Sequence, residues 1–177
     1  MHLGGAGVDP EYFAALPAPA TDVPVAAYVG RMIRSKGIDV LIAAMRIVGA
    51  RGVSLSLDLY GRIDCDNPDA VTRAEIDRWQ SEGLARWHGH VTDVREVWRR
   101  SDVFVMATLG GEGLPRALLE AAACTRPAIV TDVPGCRHFI RNGIEGDIVP
   151  ANDPVRFADA LVRLAADRPL RVRMGTA

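Results

Sequence analysis

The 177-residue sequence predicts an α/β class domain, Rossmann-like, with a parallel sheet of about six strands covered by helices on both faces. Three observations carry that expectation. Six short apolar runs recur along the chain, each too short for a helix of its own. The segments between them carry apolar residues at helical spacing. Composition is that of a soluble globular chain, with 49% hydrophobic residues and a net charge of −1.

The elements follow in order. Residues 1–23, including "GGAGVDPEYFAALPAPATDVP", hold glycine and proline without a regular period and read as a linker-like lead-in; residues 24–177 form the domain. "VAAYVG" is the first strand. Ile38, Leu41, Ile42, Met45 and Val48 then mark a helix over 37–50. "VSLSLDLYG" is the second strand, and Asn67-Pro68-Asp69 opens a helix predicted over 67–82. "ARWHGH" is a short strand, "DVREVWRRS" a short helix and "DVFVMAT" a buried strand. A helix over 115–124, the strand "PAIVTD", a helical turn over 137–141 and the strand "GDIVP" come next. Asp153 as N-cap with Pro154 at the first helical position starts a last helix reaching about Asp167.

Several function classes are disfavoured. The 21 basic residues are dispersed and balanced by 22 acidic ones, which gives no electrostatic footprint for nucleic acid. No apolar run approaches the roughly 20 residues of a membrane span, and no signal peptide is visible, so a cytoplasmic location is expected. Cys65, Cys124 and Cys136 have no C-x-x-C spacing and read as buried or half-buried thiols. Lys36 is the sole lysine against a strong arginine bias, which singles out a compact ammonium.

Parallel sheets hold ligands at the carboxyl ends of their strands, so chemistry is sought in the loops just after them. After "VFVMAT" comes "LGGEG" and then a helix. Glycines 110, 111 and 113 let backbone approach a ligand, and a helix start supplies partly positive amides, together an anion site. The usable amides are those of Gly113, Leu114 and Arg116, since Pro115 has none. A glycine turn made for geometry alone is the bland alternative. Glu112 and Glu120 sit eight positions apart across this turn. A carboxylate repels phosphate, but it accepts hydrogen bonds from sugar hydroxyls. Glu112 suits a hexose and Glu120 a ribose, although Glu120 alone also reads as an exposed helix residue. Arg31 and Lys36, in the loop after the first strand, suit a diphosphate or are simply solvated. Arg34, between them, has no assigned role.

In order and spacing, "YVGRMIRSKGIDVLIAAM", "LYGRIDCDNP", "WHGHVTDVREVWRRSDVFVMAT", "GEGLPRALLEAAACTRPAIVTDVPGCRHFI" and "GIEGDIVPANDP" resemble the carboxyl-terminal half of retaining glycosyltransferases of family four. The resemblance runs from about Gly7 to Ala165, and its most specific element is E-x7-E set in the glycine loop. It implies the donor-binding half of a GT-B fold. A hexose would be moved from a nucleotide-diphosphate sugar, a UDP-sugar above all, to a sugar or lipid-linked sugar in surface polysaccharide synthesis. By position, Arg31 and Lys36 would hold the diphosphate, with Gly30 and Gly61 beside it. The amides of Gly111, Gly113 and Leu114 would cradle it from the other side. Glu112 would meet the donor sugar, Glu120 the ribose, and His90 and Val91 the base through backbone groups. No cofactor or metal is implied, so cations and helix amides must stabilise the departing diphosphate.

Three departures stand out. Gly110 and Gly111 replace bulkier or cationic residues before Glu112, and Thr125 replaces the usual glycine after the helix. The amino-terminal acceptor domain of such enzymes is missing, which suggests a fragment or one chain of a split enzyme, inactive alone. That domain is where a partner acceptor, and peripheral contact with the inner face of the membrane, are expected. Asp64 and Asp66 mimic a D-x-D metal signature but more simply shape their loop or cap the helix at Asn67. His88, His90 and His138 share no ligand spacing, so no metal site is expected. The alternative to an enzyme half is a non-catalytic nucleotide-sugar-binding or scaffold domain.

Overall fold

The computed structural model describes residues 7–111 and 113–177. Six strands form one fully parallel sheet: β1 (Val25–Val29), β2 (Ser56–Tyr60), β3 (Arg86–Gly89), β4 (Val103–Met106), β5 (Ala128–Thr131) and β6 (Gly146–Val149). Their order across the sheet is β3-β2-β1-β4-β5-β6. The chain therefore steps outward from β1 to β3, returns to the other side of β1, and steps outward again. That reversal opens a crevice at the carboxyl ends of β1 and β4. Every residue of β4 and β5 is buried, which is why these strands read as continuous apolar runs without alternation.

Helices α1 (Ile38–Ala50), α2 (Arg73–Ser81), α3 (Arg95–Arg100), α4 (Arg116–Ala123), α5 (Pro134–Arg137), α6 (Pro154–Ala166) and α7 (Arg168–Gly175) flank the sheet. The stripe Ile38, Leu41, Ile42, Met45 and Val48 of α1 is buried throughout, each such side chain contributing about 1.5–3 kcal/mol. Helix α6 begins as its sequence dictates, with the Asp153 carboxylate accepting from the Arg156 amide at 2.9 Å and Pro154 in the first turn. It packs back against α1.

The structure corrects several sequence expectations. Asn67-Pro68-Asp69 does not open α2: the Asn67 side chain accepts from the Asp69 amide at 2.9 Å and makes a turn. The helix starts six residues later with a capping box, in which Thr72 and Glu75 exchange hydrogen bonds. The helical turn expected at 137–141 lies at Pro134–Arg137, where proline favours the first turn. Helix α7, capped by Asp167 through the Leu170 amide at 2.8 Å, was not expected. Cys65 is exposed, unlike Cys124 and Cys136, and all three are free thiols.

The lead-in is packed onto the domain. Its described part makes a turn closed by the Phe13 amide donating to Asp9 O at 2.8 Å, with Phe13 buried. Further on, Leu16 O accepts from the Thr125 hydroxyl and Pro17 O from the Arg126 guanidinium, each at 2.7 Å. This explains the departure at Thr125. Its backbone takes a left-handed φ of 57°, which glycine would adopt more freely, but glycine has no hydroxyl to hold Leu16.

Candidate functional site

Two glycines close the ends of the first three strands. The Gly30 amide donates to Tyr60 O at 2.9 Å and the Gly61 amide to Gly89 O at 2.7 Å. Gly61 has φ of 149°, and a Cβ there would lie 1.7 Å from Gly30 O. Only a residue without a side chain allows the β1 and β2 ends to come so near. At these ends opens a cleft of about 540 Å3. Gly30, Arg31, Gly61, His90, Val91 and Glu120, six of the residues singled out in the sequence, line it together. Its wall also includes Tyr12, Phe13, Tyr60, Arg62 and Arg116, which sequence reasoning missed as side chains.

Lys36, Gly111, Gly113 and Leu114 lie off that lining. Gly111 and Gly113 are exposed and Leu114 is half-buried. Glu112 lies outside the described residues. Lys36 nevertheless stands close to the glycine turn. It ends a 3-10 turn over Arg34–Lys36, whose Ser35 O accepts from the Leu109 amide at 2.9 Å and the Thr108 hydroxyl at 3.3 Å. The next residue, Gly37, has φ of 76°, and a Cβ on it would fall 1.9 Å from Ala107 O. The 3-10 turn is thus pressed onto the carboxyl end of β4, just ahead of the glycine turn.

Arg34 fastens this turn. Its guanidinium grips both Asp39 oxygens, at 3.0 and 2.7 Å, and donates to Glu75 Oε1 at 2.6 Å. Asp69 closes the other side, accepting from the Ser35 amide at 2.7 Å and, through its carbonyl, from the Arg34 amide at 2.8 Å. The Arg34 bond, then the Thr72 cap, hold the Glu75 carboxyl down at about 2. No signal in "RMIRSKG" reveals Arg34 as a staple, because its partner Glu75 is 41 residues away in sequence.

The charges of the site are arranged unequally. Arg31 is well exposed and pairs with Asp64 at 3.2 Å. Burial, and then the positive charge of Arg31, push the Lys36 ammonium below its usual range. A dianionic group between Arg31 and Lys36 would relieve that repulsion. Glu120 is buried, with burial raising its pKa against the pull of the Arg116 guanidinium 2.8 Å away. The first turn of α4 has no capping side chain, and the glycines before it take φ of 131° at Gly110 and 74° at Gly111. Asp64 is spent on Arg31, and its carbonyl accepts from the Asn67 amide at 2.9 Å, so it shapes its loop. Among the described residues no group of three or more His, Cys, Asp or Glu is placed to hold a metal.

An open parallel sheet with its cleft at the strand-order reversal, lined by glycine turns, guanidiniums and one buried carboxylate, defines a Rossmann-like ligand-binding domain. Residues 23–167 match the model of the family described as glycosyl transferases group 1, and the chain belongs to that family. It is 34% identical over 161 residues to the lipopolysaccharide core biosynthesis glycosyltransferase LpsE of Rhizobium meliloti (strain 1021), covering 91% of this chain and 45% of that protein. It is 30% identical over 152 residues to the capsular polysaccharide biosynthesis glycosyltransferase CapM of Staphylococcus aureus, covering 85% and 39%. The chain therefore spans less than half the length of these curated relatives. Among solved structures, Anabaena Alr3699/HepE in complex with UDP superposes with a TM-score of 0.83 at 17% identity, covering 96% of this chain and 49% of that one. The carboxyl-terminal domain of the group 1 glycosyl transferase LpcC from Francisella tularensis gives 0.75 at 22% identity and is covered over 93% of its length. These likenesses in shape establish the GT-B half-fold. Among the described residues no helix is long and apolar enough to cross a membrane.

Proposed function

We propose that the chain is the donor-binding half of a retaining glycosyltransferase. It takes a nucleotide-diphosphate sugar, preferably a UDP-sugar, and passes the hexose to a sugar or lipid-linked sugar of a surface polysaccharide. The observation that carries this reading is the cleft itself, in which one buried carboxylate, Glu120, shares a wall with Arg31, Arg62 and Arg116. Glu120 is paired with Arg116 through Oε1 at 2.8 Å, and a carboxylate in that wall is unfavourable for a purely anionic ligand. A nucleotide offers Glu120 ribose hydroxyls while giving the cations a diphosphate.

In the reaction the bond from the anomeric carbon to the diphosphate oxygen breaks, a bond to the acceptor oxygen forms with the configuration kept, and the proton of the acceptor hydroxyl leaves with the diphosphate. Charge grows on the departing diphosphate. Arg31, Lys36 and the amides of Gly111, Gly113 and Leu114 meet it without a metal ion, while Glu112 orients the hexose. His90 and Val91 receive the base through backbone groups. The acceptor is brought by a further domain, without which this chain binds donor and does not turn over. The names of LpsE and CapM support the pathway, and the UDP complex of Alr3699/HepE supports the nucleotide.

Calorimetric titration with UDP and GDP in the presence of EDTA tests this. UDP is expected to bind, and Glu120→Ala and Lys36→Ala each to weaken it. A wild type that binds neither nucleotide, or a Lys36→Ala variant with undiminished affinity, overturns the reading.

A further inference from the structure

The segment before the family-matched residues 23–167 contributes an aromatic wall to the cleft. Tyr12 lines the same cavity as His90, Val91 and Thr92, and it remains 46% exposed beside the buried Phe13. Its ring is nonetheless fixed. The Arg95 guanidinium carbon lies 3.7 Å from the ring centroid, well inside cation–π range. Arg95 is itself held by Asp93, through Nε at 2.9 Å and Nη2 at 2.7 Å. On the main-chain side, the Asp9 carboxylate accepts from the Glu11 amide at 2.9 Å and the Tyr12 amide at 3.3 Å, which sets the turn. Neighbouring Phe13 is buried in the core and anchors it.

The ring edge packs on buried Phe13 at a centroid distance of 5.0 Å, and the hydroxyl donates to Asp93 Oδ1 at 3.5 Å, yet part of the ring stays open to the cleft, and holding that part in place costs conformational entropy. Such a clamp makes sense where a planar ligand completes the stack. A cation under one ring face and a nucleobase against the ring is a favourable sequence of charges and π-surfaces.

We propose that Tyr12 is a stacking platform for the base of the bound nucleotide, with Arg95 and Asp93 as the positioning residues that hold its ring in the cleft. This rests on the nucleotide reading above, and it makes the lead-in a part of the binding site. Stacking reads a π-face and not a hydrogen-bond pattern, so Tyr12 adds affinity for any base, and choice among bases falls to the 90–91 segment.

The test compares UDP with ribose 5-diphosphate, which has the same anion and sugar but no base, by calorimetry on the full chain. Tyr12→Ala is expected to bind UDP about tenfold less tightly, with ribose 5-diphosphate affinity unchanged. Tyr12→Phe keeps the ring, loses only the long 3.5 Å hydroxyl bond to Asp93, and is expected to stay close to the wild type on both ligands. Asp93→Asn, which loosens Arg95, is expected to weaken UDP alone. If Tyr12→Ala binds UDP as the wild type does, or loses both ligands equally, Tyr12 is no base platform and this inference is overturned while the nucleotide reading stands. A wild type that binds neither ligand overturns both.

Discussion

The placement of Lys36 against the glycine turn rests on Gly37, and Gly37→Ala attacks it directly. Alanine at φ of 76° carries backbone strain of about 1–3 kcal/mol. Its Cβ would start 1.9 Å from Ala107 O, while ordinary contact begins at 3.4 Å, so the turn must retreat by 3.4 − 1.9 = 1.5 Å. A retreat of that size breaks the two hydrogen bonds received by Ser35 O, each worth about 1 kcal/mol. Together the loss comes to about 3–5 kcal/mol, or a fall in Tm of about 10 °C for a chain of this length. Moving Lys36 away from the glycine turn is also expected to weaken UDP binding. Urea unfolding and UDP titration read the two effects separately. Gly49→Ala is the control: it lies at an exposed position of α1 with nothing within 4 Å of its Cβ position, and a gain of about 0.5–1 kcal/mol is expected. Should Gly37→Ala cost under about 1 kcal/mol and leave affinity intact, the 3-10 turn is not pressed on β4 and the reasoning fails.

Other outcomes follow from the same interactions. The Glu75 carboxyl, at about 2 when folded against an ordinary 4.5, stabilises fully above pH 4.5 and loses that contribution as pH falls through 2. Acid unfolding of Glu75→Gln is therefore expected to show a shallower pH dependence than the wild type across that window. Lys36, its pKa pushed below the ordinary 10.5, loses its proton early in the folded state, so UDP affinity is expected to fall on the alkaline side below that value. In Lys36→Arg this alkaline limb should vanish, since the guanidinium keeps its charge. In Thr125→Gly, relief of the left-handed strain and loss of the bond to Leu16 O are each about 1 kcal/mol, so stability should barely change. Limited proteolysis between Phe13 and Thr21 should nonetheless accelerate, and an unchanged digestion pattern would show that Thr125 does not anchor the lead-in.

Much of the fold was legible because its signals are local. The apolar runs of β1, β4 and β5, the stripe of α1 and the Asp153-Pro154 start of α6 each sit within one turn or strand, where side-chain spacing alone decides conformation. The same holds for the glycine loop ahead of α4. Misreadings arose where two local signals competed. Asn67-Pro68-Asp69 suits a helix start and a turn equally, and the Thr72–Glu75 box settled the matter in favour of the turn. Helix α7 is short and weakly amphipathic, and its cap at Asp167 reads in the sequence as the end of α6.

From the sequence alone came the order of strands and helices, the glycines at the strand ends and the types of residue in the site: cations after β1, a carboxylate in α4. Only the tertiary structure could decide which of these meet. Arg34 finds Glu75 across 41 residues, Tyr12 reaches Arg95 from the lead-in, and Gly61 comes up under Gly30 once β1 and β2 pair. The physical reason is that local conformation is written in neighbouring side chains, whereas a cleft is a property of sheet order. Crossovers place residues far apart in the chain at one edge, and no spacing in the sequence encodes that distance.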